Sequence, residues 1–236
     1  SVIKNADFVF FLAFDVGGSH YLKKYQNTFQ FINNNTRMMA NTFALLEKYR
    51  KRFVFASSQM SNMSYSPYGV MKRVGELHTT ALNGLIVKFW NVYGIEKDME
   101  KAHVITDFIR KGFEEGEFEM MTDGTEERQF LYAEDCCEGL EAVMENFTDF
   151  KPEDPLHITS FHSTSIKDVA QIIQGCFNRI NRMDVRIKPG LAKDSVQMDK
   201  RNEADNYIMS WWLPKTGIEA GINKVFDEMK KEYVND

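Results

Sequence analysis

A tyrosine and a lysine four residues apart are the side chains best suited to chemistry in this sequence of 236 residues. Tyr68 and Lys72 would lie on one face of a helix, because residues i and i+4 are neighbours there. A cation beside a phenol favours the phenolate, so it lowers a tyrosine pKa that ordinarily stands near about 10. A tyrosine tuned in this way can take a proton from a hydroxyl group while a hydride leaves the same carbon.

A second pair has the same spacing, and its surroundings distinguish it from the first. Of nine tyrosines, Tyr93 also has a lysine four residues later, Lys97. Tyr68, however, begins a predicted helix after a strand that ends in two serines, whereas Tyr93 lies in a predicted loop beside Gly94. The second of those serines, Ser58, can hydrogen-bond the reacting oxygen. These surroundings favour Tyr68 over Tyr93, with an ordinary surface helix pair as the alternative.

Apolar runs alternate with helical patterns over the first part of the chain. Residues 9–13, 53–56 and 85–90 are continuous apolar runs, which are typical of strands buried on both faces of a parallel sheet. Between them, residues 36–49 and 68–82 have the periodicity of amphipathic helices. Strand, helix, strand, helix, strand predicts an α/β fold with a doubly wound parallel sheet and right-handed crossovers.

After Gly94 the predicted elements become shorter and less regular. Helices are predicted over residues 104–113, 135–144, 165–176 and 218–233, short strands over residues 118–121, 129–132 and 157–160, and irregular chain over residues 188–205. The helix at Ser165 begins with a capping box in which Asp168 replaces the usual glutamate. The pattern predicts a smaller C-terminal α/β lobe that is interwoven with the first.

Composition and charge exclude several classes of protein. The chain has 29 basic and 34 acidic residues, a net charge of -5, which argues against a nucleic-acid partner. Its longest apolar run, residues 8–14, is too short to span a bilayer, and no secretory signal is present. The three cysteines do not have metal-ligand spacing. We therefore expect a cytoplasmic protein without a metal site, a membrane or a nucleic-acid partner.

Several segments, taken in order, resemble the extended short-chain dehydrogenases/reductases of the NAD-dependent epimerase/dehydratase family. The segments FVFASS, SPYGVMK and FWNVYG are similar to the family's catalytic region, and NADFVFFLAF is similar to its fourth strand. EERQFLYAEDC, HITSFHSTSIKDVAQII and WWLPKTGIEAGI are similar to later segments of the family. The resemblance covers nearly the whole chain. It implies a partial dinucleotide-binding (Rossmann-like) lobe over residues 1–95 and a mainly substrate-binding lobe over residues 96–236.

The resemblance implies a role for each matching residue. Tyr68 would be the general base and acid, Lys72 its activator and a ribose ligand, and Ser58 the partner of the reacting oxygen. Cofactor contacts are implied for Leu12, Ala13, Ser57, Tyr68, Lys72, Phe89 and Trp90. Substrate contacts are implied for Asn91, His103, Val104, Arg128 and Arg201. Arg128 would hold the nucleotide phosphates through a bidentate fork, with a surface role as the alternative.

The sequence also departs from the family pattern in three ways. It contains no GxGxxG fingerprint, so we expect a chain that is N-terminally incomplete by roughly 60 residues, or about two βαβ units, and that binds cofactor poorly. Residues 59–67 form a shorter loop than the family has, which predicts a more open rim at the pocket. Gln59 and Met60 stand where the dehydratases carry acids, which favours epimerisation over dehydration.

The predicted function is epimerisation of a nucleotide sugar through a transient keto intermediate, with NAD as cofactor and NADP as the alternative. A nucleotide-sugar reductase or dehydratase, or a catalytically silent sugar-nucleotide binder, remain the competing hypotheses. We also expect a homodimer, because two helices carry more apolar residues than one sheet face needs. These residues are Met38, Met39, Phe43, Val70, Val74 and Leu77.

Overall fold

Four parallel strands form the central sheet of the computed structural model, which describes residues 2–182, 184–192, 194 and 203–233. In spatial order they are β1 (Phe8–Phe11), β2 (Arg52–Ser58), β3 (Leu85–Phe89) and β7 (Leu156–Ile158). All three strand pairs are parallel. Parallel neighbours need crossover connections, and helices supply them here.

Helices pack on both faces of this sheet. The described helices are α1 (Val2–Asn5), α2 (Ser19–Tyr25), α3 (Phe29–Tyr49), α4 (Pro67–Ala81), α5 (Val104–Glu114), α6 (Ala133–Glu145), α7 (Ile166–Arg179) and α8 (Ile218–Tyr233). Of these, α3 and α4 pack on one face of the central sheet and α6 packs on the other. Along β2, Phe53 and Phe55 point into one apolar cluster with Phe43 of α3, whereas Val54 points into another with Leu140 of α6. This alternation buries both faces of the strand. The predicted α/β fold with a parallel sheet is confirmed.

The rest of the chain builds two smaller sheets. One contains β4 (Asn91–Tyr93), β6 (Glu127–Tyr132) and β8 (Ser163–Ser165), and the other pairs β5 (Glu117–Glu119) with β9 (Arg186–Lys188). A third apolar cluster lies between α5, α7 and α8. Since β7 returns to pair with β3, chain from beyond residue 95 completes the first sheet. In the described part of the chain, no helix is both long and apolar enough to cross a bilayer.

Several element boundaries differ from the sequence prediction. Helix α3 begins at Phe29 rather than residue 36, because the Thr28 side chain caps it by accepting a hydrogen bond from the Phe31 N–H at 3.2 Å. The strand predicted over residues 85–90 ends at Phe89 as β3. After Trp90 the chain enters β4, which belongs to a different sheet. The capping box at Ser165 is confirmed, since its hydroxyl accepts from the Asp168 N–H at 3.0 Å.

Two residues expected on an apolar surface lie in the core instead. Met39 and Phe43 are buried, because α3 turns this stripe toward the sheet. The Phe43 ring packs edge-on against Phe11 and stacks on His78. Their apolar side chains therefore stabilise the fold and are not available to a partner.

Candidate active site

The start of α4 sets Tyr68 against the end of β2. Pro67 occupies the first turn, where its missing N–H costs nothing, and the Ser66 hydroxyl caps the helix by accepting from the Gly69 N–H at 3.1 Å. A Cβ atom on Gly69 would lie 2.2 Å from the Met60 carbonyl oxygen. Glycine therefore allows the helix to pack directly on the short 3₁₀ turn that follows β2 (Gln59–Asn62).

This close packing makes the region around Tyr68 tighter than the sequence indicated. The loop of residues 59–67 was expected to leave an open rim. Instead, Gln59, Met60 and Ser61 are buried under the start of α4, and Tyr68 itself is only 8% exposed. The expectation was wrong because the shortened loop coils into a 3₁₀ turn that fills the space.

The structure brings the three predicted catalytic residues together. Tyr68 and Ser58 share a side-chain hydrogen bond. The Lys72 ammonium lies 5.7 Å from the centre of the Tyr68 ring and donates to the Ala56 carbonyl at 2.6 Å. Tyr93, the alternative, is buried in β4, and its hydroxyl donates to a backbone carbonyl of the C-terminal helix at 3.4 Å. Of the two tyrosines, only Tyr68 combines the helical lysine and the strand-end serine.

Burial controls the ionisation of this group. It raises the pKa of Tyr68 to about 12, and the hydrogen bond with Ser58 offsets only part of that effect. Burial also lowers the pKa of Lys72 to about 7, against a smaller opposite effect of Glu76. The direction for Tyr68 is opposite to the one expected from the spacing, because burial of the phenol outweighs the hydrogen bond that favours the phenolate.

Glu76 is a buried carboxylate of this site that the sequence analysis missed. It accepts from the Ser57 hydroxyl at 2.6 Å and from Arg73 at 2.8 Å, and Lys88 lies 3.5 Å away. Burial alone would raise the pKa of Glu76, but the hydrogen bonds from Ser57 and Arg73 hold it below its usual range. Its position one turn after Lys72 on the same helix could have identified Glu76 from the sequence. Ser57, predicted to contact cofactor, is thus bonded to Glu76.

The other residues predicted for the cofactor lie at the carboxyl ends of β1 and β3. Leu12 and Ala13 are exposed directly after β1. Phe89 ends β3 beside the last residue of β2. The Trp90 indole N–H donates to Nδ1 of His157 at 3.2 Å. Burial lowers the pKa of His157 to about 4, so the ring is a neutral acceptor at pH 7.

A second group of predicted residues lines one pocket between β4, β6 and the start of α5. Asn91, His103, Val104 and Arg128 all border a cavity of about 100 Å³. The Arg128 guanidinium also forms an ion pair with Asp194, which borders the same cavity. Because ligand pockets usually enclose about 300–1,000 Å³, a ligand would have to widen this one. Arg201, also predicted for the substrate, lies outside the described residues.

His103 is held on two sides by one carboxylate. Its backbone N–H donates to Glu96 at 2.7 Å, and its ring Nδ1 lies 2.6 Å from the other oxygen of Glu96. The residue also forms the N-terminal boundary of α5. His103, predicted to contact substrate, therefore makes structural contacts with Glu96 and also borders the pocket. Among the described residues, no group of three or more His, Cys, Asp and Glu side chains could hold a metal ion.

The chain is similar to several enzymes of nucleotide-sugar metabolism. It is 29% identical to GDP-mannose 3,5-epimerase 1 of Oryza sativa subsp. indica, over 98% of this chain and 66% of that protein. It is 28% identical to GDP-L-fucose synthase of Sinorhizobium fredii, over 58% of this chain and 44% of that protein. The chain thus spans less than two thirds of the length of these relatives.

Solved structures with this fold include two epimerases. UDP-glucuronic acid 4-epimerase from Bacillus cereus superposes with a TM-score of 0.80 and 19% identity, over 98% of this chain and 78% of that one. UDP-N-acetylglucosamine 4-epimerase from Methanobrevibacter ruminantium has a TM-score of 0.78 and 19% identity, over 98% and 79% of the two chains. The sequence pattern of the NAD dependent epimerase/dehydratase family matches residues 1–158. The chain belongs to the NAD dependent epimerase/dehydratase family.

Proposed function

We propose that this chain carries the acid–base group and the substrate pocket of an enzyme that epimerises a nucleotide sugar. The observation that supports this most is the meeting of Ser58, Tyr68 and Lys72 at the end of β2. The next strands along the chain lead directly to the pocket that Asn91 and Arg128 border. The two epimerase structures named above share this fold, and one relative is a GDP-mannose epimerase.

In this proposal Tyr68 moves the proton. As phenolate it accepts the proton of a sugar hydroxyl and later returns it, while Ser58 holds the same oxygen by a hydrogen bond. Lys72 stabilises the phenolate when it is charged. NAD, which Lys72 and Tyr68 would hold by its ribose, would supply the hydride acceptor and donor for the sugar carbon. Burial of Tyr68 keeps bulk water away from the transient keto sugar.

Arg128 holds the substrate in this proposal. Its planar fork matches a diphosphate better than the point charge of a lysine does. The guanidinium is paired with Asp194, so a diphosphate would take the place of that carboxylate. Asn91, whose amide donates weakly to the Gln129 carbonyl at 3.4 Å, can turn toward a phosphate oxygen at little cost. His103 and Val104 border the same pocket and complete its wall.

The residues present fit NAD at one end. Lys72 and Tyr68 lie at the carboxyl edge of the sheet, and Leu12 and Ala13 are exposed at the end of the neighbouring strand. We assign these four residues, with Phe89 and Trp90, to the nicotinamide and its ribose. The 236 residues contain no glycine fingerprint that would hold a pyrophosphate at a helix N-terminus.

A catalytically silent sugar-nucleotide binder is the second candidate. The raised pKa of Tyr68, about 12, and the lowered pKa of Lys72, about 7, favour it, because both values oppose formation of a phenolate. A reductase would use the same residues and differs by releasing the reduced sugar. A dehydratase is disfavoured, since Gln59 and Met60 offer no carboxylate next to Ser58.

Replacing Tyr68 distinguishes these candidates. In the chain supplied with NAD and a panel of nucleotide sugars, we expect Tyr68→Phe to reduce epimerisation by at least about 100-fold, because the ring stays but the proton acceptor is removed. Tyr65→Phe is the matched control: this exposed tyrosine lies three residues away, and its loss should leave turnover unchanged. Product analysis by NMR measures the effect. Normal turnover by Tyr68→Phe would contradict the proposal, and absence of turnover in every variant, with nucleotide-sugar binding intact, would favour the silent binder.

A further inference from the structure

An aromatic ring covers the ammonium group of Lys72. The centre of the Phe14 ring lies 3.8 Å from Lys72 Nζ, closer than the rings of Phe55 at 5.2 Å and Tyr68 at 5.7 Å. The Phe14 ring also meets the Tyr68 ring edge-on, with 5.7 Å between centroids. A cation this close to a ring face is attracted by the ring quadrupole, more strongly where water is excluded. Lys72 is 4% exposed, so this contact takes place away from water.

The backbone next to Phe14 is fixed on several sides. The Asp15 N–H donates to Asn35 Oδ1 at 2.6 Å, and Asn35 Nδ2 donates back to the Asp15 carbonyl at 3.1 Å. Asn35 is fully buried, so these bonds have no competition from water. The Asp15 carboxylate accepts from the Tyr21 hydroxyl at 2.6 Å and from Lys101 at 3.0 Å. The position of Phe14 is therefore imposed by its surroundings and is not that of a loose loop residue.

Phe14 also borders a cavity of about 580 Å³. Its lining is mostly polar and consists of Phe14, Asp15, Tyr21, Asn34, Arg37, Met38, Asn41 and Lys101. Phe14 belongs to this lining, whereas Lys72 and Tyr68 do not. The ring thus contacts the buried lysine and also borders a wide polar cavity. The cavity carries the cations of Arg37 and Lys101, of which Lys101 is paired with Asp15 at 3.0 Å, together with several hydrogen-bonding groups. Such a lining suits a phosphorylated ligand with hydroxyl groups, which would meet Arg37 first.

We propose that Phe14 is a specificity-determining residue, whose ring must move aside before a hydroxyl group of a ligand in this cavity can reach Lys72. The consequence of this ring movement for catalysis rests on the proposed function, but the contact between the Phe14 ring and Lys72 does not. While the ring is in place, Lys72 has an apolar neighbour instead of water or hydroxyl oxygens. The ring helps to exclude water from Lys72, and this loss of hydration outweighs the attraction to the ring, so burial lowers the pKa of Lys72 to about 7. A ligand able to displace the ring would restore the charge, and one unable to do so would leave the site inactive.

Chemical labelling of lysines tests whether the Phe14 ring shields Lys72, and it requires no enzymatic turnover. The chain alone is treated with formaldehyde and a borane reagent at pH 7, and methylation of each lysine is followed over time by peptide mass spectrometry. We expect slow labelling of Lys72, and a rate at least about tenfold higher in Phe14→Ala, the scale of a desolvated cation–π contact. Phe10→Ala is the matched control, because Phe10 lies in β1 four residues before Phe14, is 36% exposed and packs against the Phe8 ring. It should leave the Lys72 rate unchanged.

A second variant distinguishes loss of the aromatic ring from loss of the fold. Phe14→Leu keeps an apolar side chain but removes the aromatic face, so we expect a rate between those of the unaltered chain and Phe14→Ala, with an unchanged circular dichroism spectrum. Equal Lys72 rates in the unaltered chain and in a folded Phe14→Ala chain would overturn the proposal. So would labelling of Lys72 in the unaltered chain as fast as that of the exposed Lys151. Since no substrate is present, these outcomes are independent of the Tyr68→Phe result.

Discussion

Lys72 is a buried lysine whose ionisation couples to the stability of the fold. Its pKa falls from 10.5 to about 7, with burial as the first cause. Between these values the unfolded chain binds the proton and the folded chain does not. The free energy of unfolding must therefore rise with pH across that window, by at most about 1.4 kcal/mol per pH unit from this one group. Below pH 7 both states carry the proton, and the full cost of the buried charge is present.

We expect Lys72→Met to remove this dependence. The variant should gain most stability relative to the unaltered chain at pH 7, and the difference should shrink steadily toward pH 9, because other groups titrate alike in both chains. Urea unfolding at pH 7, 8 and 9 measures it. Lys151→Met, at an exposed position, is the control and should follow the unaltered chain. A difference that stays constant with pH would show that Lys72 keeps an ordinary pKa.

Replacing Arg128 and replacing Asp194 should change the affinity for a nucleoside diphosphate in opposite directions. Arg128→Lys keeps the charge but loses the fork, so we expect the Kd for UDP or GDP to rise about tenfold. Asp194→Asn removes the carboxylate that competes with phosphate, so the Kd should fall. Isothermal titration calorimetry measures both, with the exposed Arg186→Lys as control. Changes in the same direction, or no change in either, would contradict the assignment of this pocket.

Helix α4 presents an apolar stripe at its outer face. Val70, Val74 and Leu77, spaced at i, i+4 and i+7, are between 40% and 57% exposed. This spacing places them on one side of the helix, opposite the face that carries Lys72 toward the sheet. We propose that the stripe is the homodimer interface expected from the sequence, now without the buried Met39 and Phe43. An exposed apolar stripe of this kind is typical of a protein–protein contact.

A single charge in the stripe tests the dimer. We expect Val74→Glu to convert the dimer into a monomer, because association would bury an unpaired carboxylate. Thr80→Glu adds the same charge at an exposed position in the last turn of α4 and should leave the dimer intact. Sedimentation velocity at micromolar concentration distinguishes the two states. If the unaltered chain itself sediments as a monomer, the stripe is not a dimer interface.

At the scale of the whole molecule, the outer edge of β1 and the cofactor are linked. Strand β1 is the last strand of the central sheet on one side, and Phe10 and Leu12 are 36% and 46% exposed there. These 236 residues contain no GxGxxG fingerprint, the motif that usually sets the diphosphate of a dinucleotide at a helix N-terminus. We expect this chain to bind NADH with a Kd above roughly 100 micromolar, since only the nicotinamide end is recognised.

Fluorescence titration of the chain with NADH tests this expectation. Lys72→Met should weaken the remaining affinity further, whereas Lys151→Met should not. A Kd in the low micromolar range would contradict the expectation and would point to another pyrophosphate site within the described residues, with Arg37 and Lys101 as the first positions to replace.

The sequence by itself was enough to predict the α/β class, the parallel strands of the central sheet and the order of the segments that resemble the family. Continuous apolar runs such as β2 can be buried only between two layers, so periodicity and length were enough. It also singled out Tyr68, Lys72 and Ser58, because spacing on a helix and position at a strand end are local properties. Helix α3 shows the limit: in its first two turns an asparagine, Asn35, takes a buried position of the apolar stripe, and a single threonine cap sets where the helix begins.

Only the tertiary structure decided the ionisation of the site and what covers it. The sequence places a lysine beside a tyrosine, but the 3₁₀ turn and Phe14 bury both and move their pKa values in unfavourable directions. Glu76, Asn35 and Asp194 act through partners that are 19, 20 and 66 residues distant in sequence. Such contacts depend on how the crossovers bring strand ends and loops together. Desolvation, unlike periodicity, is a property of the whole packed molecule, so no local pattern could have revealed it.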